Sequence, residues 1–229
     1  MVVGNGMLAK LFSKYVDDCN IFIIASGVSN SKEIRNTEFN REFNLVKDIV
    51  IRNQDKTIVY FSTSNMYDPF QQGDLYVKHK LTIEQYIAKH AKQFHIFRIS
   101  QIIGKANNNT LINFLISKIL SNQSFEVWVS ATRNLIAIED VNKIISYIID
   151  NKIYMNQIIN IANSQNISIL SLIDIVEGVL AKRASCHYVD KGFPFEQIDI
   201  TPIKDICKDL AINFDMPNYY QSAIRSILE

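Results

Sequence analysis

The sequence is poor in the residues that mark loop-rich, disulfide-bonded or disordered proteins. It has only 7 glycines and 4 prolines in 229 residues, and 48% of its residues are hydrophobic. This composition indicates a well-packed globular protein, with one large domain or one domain and a small appendage. The three cysteines, Cys19, Cys186 and Cys207, are widely spaced. With no secretory signal either, they favour a reducing compartment, so we expect a cytoplasmic protein.

Long apolar runs, blocks of like charge and metal-ligand spacings are also lacking. The longest clean apolar runs have the length of a strand, as in residues 21–25, which predicts no membrane span. The net charge is +1, from 24 basic and 23 acidic residues, which gives nucleic-acid binding through a basic patch little support. The 4 histidines and the cysteines show no metal-ligand pattern, so we expect no metal site.

A glycine pattern stands near the start of the chain, where a short apolar strand meets a helix predicted over residues 7–16. Gly4, Gly6 and Ala9 form the pattern GxGxxA there. Glycines permit a tight turn and let backbone N–H groups approach a pyrophosphate at the start of the helix. Two glycines in an ordinary tight turn are the alternative interpretation.

Apolar strands and amphipathic helices alternate along the chain. Strands are predicted at residues 21–25, 57–61, 95–100, 125–129 and 158–161, and helices at residues 37–52, 75–92, 111–120, 136–149 and 169–180. This alternation predicts an α/β protein with a doubly wound parallel sheet. Ligands of such sheets bind beyond the carboxyl ends of the strands. We therefore expect residues 4–6, 25–27 and 62–64, each of which follows a strand, at one edge.

Residues 58–80 form the centre of the predicted site. The strand passes into Ser62, Thr63 and Ser64, and Tyr76 follows with Lys80 four positions later. In a helix this spacing places the phenol and the ammonium on one face. A hydroxyl at a strand end beside a Tyr/Lys pair suits carbonyl–alcohol redox chemistry. A surface tyrosine on a solvated helix, and helix capping by the serines, are the alternatives.

Together these segments resemble the extended short-chain dehydrogenase/reductase family, in particular its NAD-dependent epimerase/dehydratase group acting on nucleotide sugars. The matching segments, in the family's order, are residues 4–9, 25–27, 62–67, 76–80, 97–104, 133–141 and 160–169. The resemblance implies a Rossmann-like sheet shortened by about two strands, because only one helix fits between Gly6 and Ala25. The deleted part would hold the adenosine, so the implied cofactor is NAD or NADP with a weak or atypical adenosine site.

The resemblance also implies roles for single residues. Tyr76 would be the general acid/base, Lys80 would favour its phenolate form, and Thr63 would hydrogen-bond the reacting oxygen. The implied cofactor-binding residues are Gly4, Asn5, Gly6, Met7, Leu8, Ala25, Ser26, Gly27, Tyr76, Lys80 and Ile102. The implied substrate-binding residues are Thr63, Ser64, Asn109 and Arg133, of which the last would grip a diphosphate. A surface ion pair for Arg133 and a turn for Asn109 are the alternatives.

As a whole, the resemblance implies an NAD(P)-dependent reductase or epimerase of a nucleotide-activated sugar in surface polysaccharide biosynthesis. It divides the chain into a dinucleotide-binding domain, residues 1–104 plus 134–165, and a small substrate subdomain, residues 105–133 plus 166–229. Family members often dimerise through the helices that correspond to residues 37–52 and 75–92. Ser64 and Asn65 stand where the family's dehydratases carry an Asp-Glu pair, so a dehydratase is the least expected subtype. A non-catalytic binding protein on a trimmed dinucleotide fold is the alternative function.

Overall fold

The computed structural model describes residues 1–105, 110–216 and 218–229, which alternate between strands and helices. The strands are β1 (Val2–Val3), β2 (Ile21–Ile24), β3 (Thr57–Thr63), β4 (Gln93–Ile99), β5 (Gln101–Ile103), β6 (Phe125–Trp128), β7 (Thr132–Arg133), β8 (Leu135–Ala137), β9 (Gln157–Ile161), β10 (Ile167–Ser168) and β11 (Cys186–Val189). The helices are α1 (Met7–Leu11), α2 (Asn36–Arg52), α3 (Leu75–His90), α4 (Leu111–Leu120), α5 (Ile138–Asp150), α6 (Ile169–Leu180), α7 (Lys204–Asp209) and α8 (Tyr219–Leu228). Short 3₁₀ helices cover Ser13–Tyr15, Asn65–Tyr67 and Thr201–Ile203.

The central sheet has five strands in the order β1-β2-β3-β4-β9, and every neighbouring pair in it is parallel. Parallel strands need crossover connections, which are mostly helical here and cover the sheet. This arrangement confirms the predicted Rossmann-like α/β fold. The carboxyl ends of β1 to β4 consequently meet at one edge of the sheet.

Strand β3 is apolar on both faces because helices cover both sides of the sheet. Val59 and Phe61 share one core with the buried face of α5. Ile58 and Tyr60 point the other way and share a core with α2 and α3. Successive side chains of a strand point to opposite faces, so a continuous apolar run is what burial on both sides requires.

A separate apolar core lies around α4, α6 and α8. The short strands near it form pairs: β6 with β11 and β5 with β8 are parallel, and β7 with β10 is antiparallel. Most of this core comes from the residues predicted to form the substrate subdomain. The domain boundary itself stays a prediction.

The helix predicted over residues 7–16 is shorter than expected. Helix α1 ends at Leu11, and a 3₁₀ turn follows at Ser13–Tyr15. Phe12 and Tyr15 are 0% and 5% exposed and pack into the same core. A 3₁₀ turn aligns residues three apart, which directs both rings towards the sheet. Across residues 1–105, 110–216 and 218–229, no helix combines the length and apolar character needed to cross a membrane.

Candidate active site

A cavity of about 710 Å³ opens at the carboxyl edge of the sheet. Segments that follow β1, β2, β3 and β4 all contribute to its wall, together with the start of α3. The predicted site residues that line it are Met7, Leu8, Ala25, Gly27, Thr63, Tyr76, Lys80 and Ile102. Of the other predicted site residues in the described part of the chain, Gly4, Asn5, Gly6, Ser26, Ser64 and Arg133 are outside this lining set. Asn109 lies outside the described residues.

The two glycines of the first turn have different surroundings. Gly4 has φ +128°, and a Cβ placed there would lie 2.4 Å from the carbonyl oxygen of Ala25. Only glycine fits this position, because the turn approaches the end of β2 so closely. A Cβ on Gly6, which precedes α1, would meet no atom within 4 Å. The close packing of the turn thus explains why position 4 is a glycine. Position 6 has no such packing requirement, and Gly6 leaves open space in front of the first turn of α1.

Lys80 is buried in the cavity wall and makes two hydrogen bonds through its ammonium. Nζ donates to Glu42 Oε1 at 2.8 Å and to the hydroxyl of Tyr60 at 2.9 Å. An ammonium has three N–H donors, so one is left for a further acceptor. Nζ of Lys80 lies 5.9 Å from the centroid of the Tyr76 ring.

Glu42, on α2, was not predicted from the sequence and is completely buried beneath this wall. Besides Lys80, its carboxylate accepts hydrogen bonds from the backbone N–H of Val28 and the hydroxyl of Tyr60, each at 2.8 Å. The ring nitrogen Nε2 of His79 lies 2.9 Å from Oε2. Burial opposes the ionisation of Glu42, but the charge of Lys80 and these hydrogen bonds outweigh it and lower the pKa to about 2. The carboxylate is therefore a fixed negative charge.

Tyr60 and Gly27 complete this buried ion pair. Burial first, and the charge of Glu42 second, raise the pKa of Tyr60 well above its ordinary value, so the phenol stays protonated and keeps donating to the carboxylate. A Cβ on Gly27 would lie 2.4 Å from Glu42 Oε1 and 3.0 Å from Lys80 Nζ. Gly27 thus lies directly against the pair, and a larger residue at this position would clash with it.

Tyr76 stands near the start of α3 and is 8% exposed, so it is not a surface residue of a solvated helix. Its ring packs with Val28, Phe39 and Val77. The hydroxyl makes no hydrogen bond to any residue that the structure describes, although the tyrosine lines the cavity. A ligand in the cavity can therefore become its partner.

The three hydroxyl residues at the end of β3 have separate surroundings. Ser62 donates to Glu84 Oε1 at 2.5 Å, in a network where Arg98 binds the same carboxylate at 2.6 Å. Thr63 is 6% exposed and lines the cavity, and its oxygen accepts from the backbone N–H of Asn65 at 3.1 Å. Ser64 is 1% exposed and precedes the 3₁₀ helix. Thr63 is thus held by the backbone of Asn65 while it lines the cavity, and Ser62, which also lines the cavity, is bonded to Glu84.

Arg133 is not among the cavity-lining residues, and its guanidinium already has partners within the chain. Its Nη1 donates to the carbonyl oxygen of Thr132 at 2.7 Å and lies 3.9 Å from Oδ2 of Asp68, which is 1% exposed. The ion pair proposed as the alternative is thus present, with a buried rather than an exposed partner.

Two further residues of the cavity wall, Ser100 and Gln101, follow β4 and were not predicted. Ser100 is 5% exposed, and neither its Oγ nor Oε1 of Gln101 has a hydrogen-bond partner among the described residues. A hydroxyl directly after a strand, at the same edge as Thr63, was the available signal. For Glu42 the signal was an acidic residue on the buried helix stripe between Phe39 and Val46, where a charge requires a partner.

Residues 8–162 match the model of the NAD dependent epimerase/dehydratase family. This chain belongs to that family. The match spans β2, β3, β4 and β9 and so includes most of the central sheet. No curated protein sequence matches the chain.

Solved structures show the same fold as this epimerase/dehydratase family member. One is UDP-N-acetylglucosamine 4-epimerase from Methanobrevibacter ruminantium in complex with UDP-N-acetylmuramic acid, with 17% identity and a TM-score of 0.72. Another is UDP-glucuronic acid 4-epimerase from Bacillus cereus in complex with UDP-4-deoxy-4-fluoro-glucuronic acid and NAD, with 16% identity and a TM-score of 0.72. Each alignment covers 94% of this chain and 77% of the other. dTDP-glucose 4,6-dehydratase from Bacillus anthracis in complex with NAD has 10% identity and a TM-score of 0.70, with coverage of 94% and 75%.

The family implies a dinucleotide cofactor, and the residues present fit one half of it. Gly6 leaves open space in front of α1, and the cavity runs from Met7 and Leu8 to Tyr76 and Lys80. Within the described sheet β1 is an edge strand of two residues, so no neighbouring strand supports an adenosine beside it. The described residues thus offer a glycine turn and a cavity wall, and no strand on the outer side of β1.

Proposed function

We propose that this protein is a nicotinamide-dependent oxidoreductase that acts on a nucleotide-activated sugar, as a reductase or an epimerase. One observation carries the proposal: Thr63, Tyr76 and Lys80 line the same cavity as Met7 and Leu8, which follow the glycine turn. Membership of the epimerase/dehydratase family supports it, because the matched region contains the Thr63, Tyr76 and Lys80 set.

In this proposal the pyrophosphate of NAD or NADP is held by the first turn, and the ribose by Lys80. Ala25, Gly27 and Ile102 of the cavity wall contact the cofactor, as does the neighbouring Ser26. The residues of the first turn are Gly4, Asn5, Gly6, Met7 and Leu8. When bound, the nicotinamide accepts or supplies the hydride at a sugar carbon. Tyr76 moves the proton to or from the sugar oxygen, and the Thr63 hydroxyl hydrogen-bonds that oxygen. The burial of both residues keeps water away from the reacting group.

On the substrate side, Ser64, Asn109 and Arg133 are the proposed contacts of the nucleotide sugar. Arg133 lies near Asp68, so the guanidinium must turn or share its charge in order to bind a diphosphate. We also propose a role in surface polysaccharide biosynthesis and dimerisation through α2 and α3. The proposed division of the chain is residues 1–104 plus 134–165 for the dinucleotide and residues 105–133 plus 166–229 for the substrate. A dehydratase is the least favoured subtype, because Ser64 and Asn65 replace its acidic pair.

The second candidate is a non-catalytic protein that binds a dinucleotide or a nucleotide sugar. The Glu42–Lys80 pair favours it, since two of the three N–H donors of the ammonium are already engaged within the protein. The short edge strand β1 beside the predicted adenosine position favours it as well.

Fluorescence titration with NADH and NADPH tests the first step. Absence of binding at millimolar cofactor contradicts the oxidoreductase proposal. If a cofactor binds, a panel of nucleotide sugars is screened for cofactor oxidation and product stereochemistry, and binding without turnover across the panel supports the second candidate. Tyr76→Phe should abolish turnover while leaving cofactor binding largely intact. Tyr86→Phe, on the same helix but outside the cavity-lining set, is the matched control and should retain turnover.

A further inference from the structure

Lys80 carries a positive charge that the protein itself already compensates. Its Nζ lies 2.8 Å from Glu42 Oε1, and the lysine and the acid are 4% and 0% exposed. Tyr60 closes the group, because its hydroxyl accepts a hydrogen bond from Lys80 and donates one to Glu42. The pair has no net charge, and its burial protects it from screening by salt.

The other ionisable groups around the pair leave this balance unchanged. Burial first, and the charge of Glu42 second, raise the pKa of Tyr60 well above its ordinary value, so this phenol stays neutral. Glu84, on α3, is compensated by Arg98 of β4, whose Nη2 lies 2.6 Å from its Oε2. Nε2 of His79 lies 2.9 Å from the Glu42 carboxylate, and an ordinary imidazole is neutral at about pH 8. At that pH the whole group therefore has no net charge.

Tyr76 is the residue on which the charge of Lys80 would otherwise act. An uncompensated ammonium beside a phenol favours the phenolate, which is the form that takes a proton. Nζ lies 5.9 Å from the centroid of the Tyr76 ring, and both hydrogen bonds of Lys80 within the described residues go elsewhere. The Glu42 carboxylate is one hydrogen bond away from the same ammonium. Its opposite charge thus acts on Tyr76 from nearly the same place, and the two effects largely cancel.

We propose that Glu42 is a positioning residue that cancels the charge of Lys80 and so keeps the phenol of Tyr76 protonated. The free site is then able to give a proton but not to take one. An epimerase must first take a proton from a sugar hydroxyl, whereas a reductase gives one to a carbonyl oxygen. The inference rests on the proposed function and narrows it to a reductase, with a nucleotide-activated keto sugar as the substrate.

In the reduction the proton comes from Tyr76. The carbonyl carbon receives a hydride from the reduced nicotinamide, which is thereby oxidised, and the π electron pair of the carbonyl passes to its oxygen. That oxygen takes the proton as the O–H bond of Tyr76 breaks. Water then returns a proton to the phenolate, so the site again carries no net charge.

The first test measures ionised tyrosine by its near-ultraviolet absorbance in the ligand-free protein at about pH 8. Subtraction of the Tyr76→Phe spectrum isolates one phenol among the 10 tyrosines. The wild-type difference should be zero. Glu42→Gln uncovers the charge of Lys80 and, with Tyr76→Phe in the same background as its reference, should show up to about one ionised phenol per chain. Ionised Tyr76 in wild type, or none in folded Glu42→Gln, overturns the proposal.

Two control variants separate this electrostatic role from a structural one. Glu42→Asp keeps the negative charge, so its difference spectrum should return to zero. Glu38→Gln, on the same helix, removes a carboxylate whose ion pair with Arg41 is partly exposed, and it should also give zero. Ionised Tyr76 in either control contradicts the assigned role of the Glu42 charge.

The double variant Glu42→Gln/Lys80→Met covers the case in which Glu42→Gln does not fold, because it leaves neither charge buried alone. It has the same net charge as the wild-type pair. Tyr76 should therefore ionise over the same pH range in both proteins during an alkaline titration. Ionisation at a higher pH in the double variant would overturn the proposal, since Lys80 would then act on Tyr76 uncancelled in wild type.

The second test compares substrates in the wild-type protein. NADH oxidation with UDP-4-keto-6-deoxyglucose should be roughly tenfold faster, or more, than epimerisation of UDP-glucose in the presence of NAD. Epimerisation at a comparable or higher rate contradicts the carbonyl substrate. The spectroscopic test needs no ligand, so its failure leaves the proposed function standing. If neither NADH nor NADPH binds, the proposed function has failed, and the carbonyl substrate fails with it.

Discussion

The carboxylate of Glu42 and the ammonium of Lys80 lie 2.8 Å apart and form an ion pair inside the protein, where the acid is 0% and the lysine 4% exposed. Tyr60 bonds to both partners, and Gly27 lies against them. A lysine predicted to face a cofactor is thus also part of the core. The pair couples the stability of the sheet edge to the cavity, because the same ammonium belongs to both.

Replacement of Glu42 by Gln should destabilise the protein strongly. The amide keeps the shape of the side chain but leaves the ammonium of Lys80 buried without its counter-charge. We expect a loss of about 3–5 kcal/mol in the free energy of unfolding, measured with denaturant. The control is Glu38→Gln on the same helix, whose carboxylate forms only a surface pair with Arg41, and which should change stability by about 0–1 kcal/mol. Equal effects of the two substitutions would contradict the buried pair.

The effects of Glu42→Gln and Lys80→Met should be far from additive. Each single substitution leaves one buried polar partner uncompensated, whereas the double variant removes both charges. A double-mutant cycle should therefore give a favourable coupling energy of about 1–3 kcal/mol between the two residues. The cycle needs only unfolding measurements on the ligand-free protein. A coupling energy near zero would mean that the two side chains do not interact in solution.

Stability should fall in acid partly through Glu42. Its pKa is lowered from 4.5 to about 2 in the folded protein, so its contribution is fully present above pH 4.5 and is lost as the pH falls towards 2. The shift corresponds to about 3 kcal/mol. The pKa of Glu33 is also about 2, because Arg35 hydrogen-bonds to it, and this contribution persists in Glu42→Gln. The free energy of unfolding, measured between pH 6 and pH 2, should therefore fall less on acidification for Glu42→Gln than for wild type.

The two glycines of the first turn should respond differently to alanine. At Gly4 a Cβ clashes with the end of β2 and the backbone has φ +128°, so Gly4→Ala should lower stability by about 2 kcal/mol or more. At Gly6 a Cβ meets open space, so Gly6→Ala should be neutral or slightly stabilising. If a pyrophosphate occupies that space, Gly6→Ala should still weaken NADH binding severalfold. Unchanged NADH affinity in a stable Gly6→Ala protein would place the pyrophosphate elsewhere.

Much of the fold was predictable because it follows from local pattern. The apolar run of β3 required a strand covered on both faces, and α4 and α6 begin and end where their amphipathic patterns predicted. The early end of α1 was not predictable, because it depends on where the rings of Phe12 and Tyr15 meet the sheet. The short strands β7 and β10 also escaped prediction, since two residues carry no measurable periodicity and their pairing is set by distant segments.

For the candidate site, the sequence by itself determined the residue types and the edge at which they gather. Strands followed by glycines or hydroxyls, joined by helices, place Gly6, Thr63 and Tyr76 at the same end of a parallel sheet. Only the tertiary structure decided the partners. It pairs Lys80 with Glu42, 38 positions apart, and gives Oγ of Ser100 no hydrogen-bond partner among the described residues. Hydrogen bonds act over about 3 Å and often join groups that are remote in sequence. The partners of buried polar groups are therefore known only once the chain is packed.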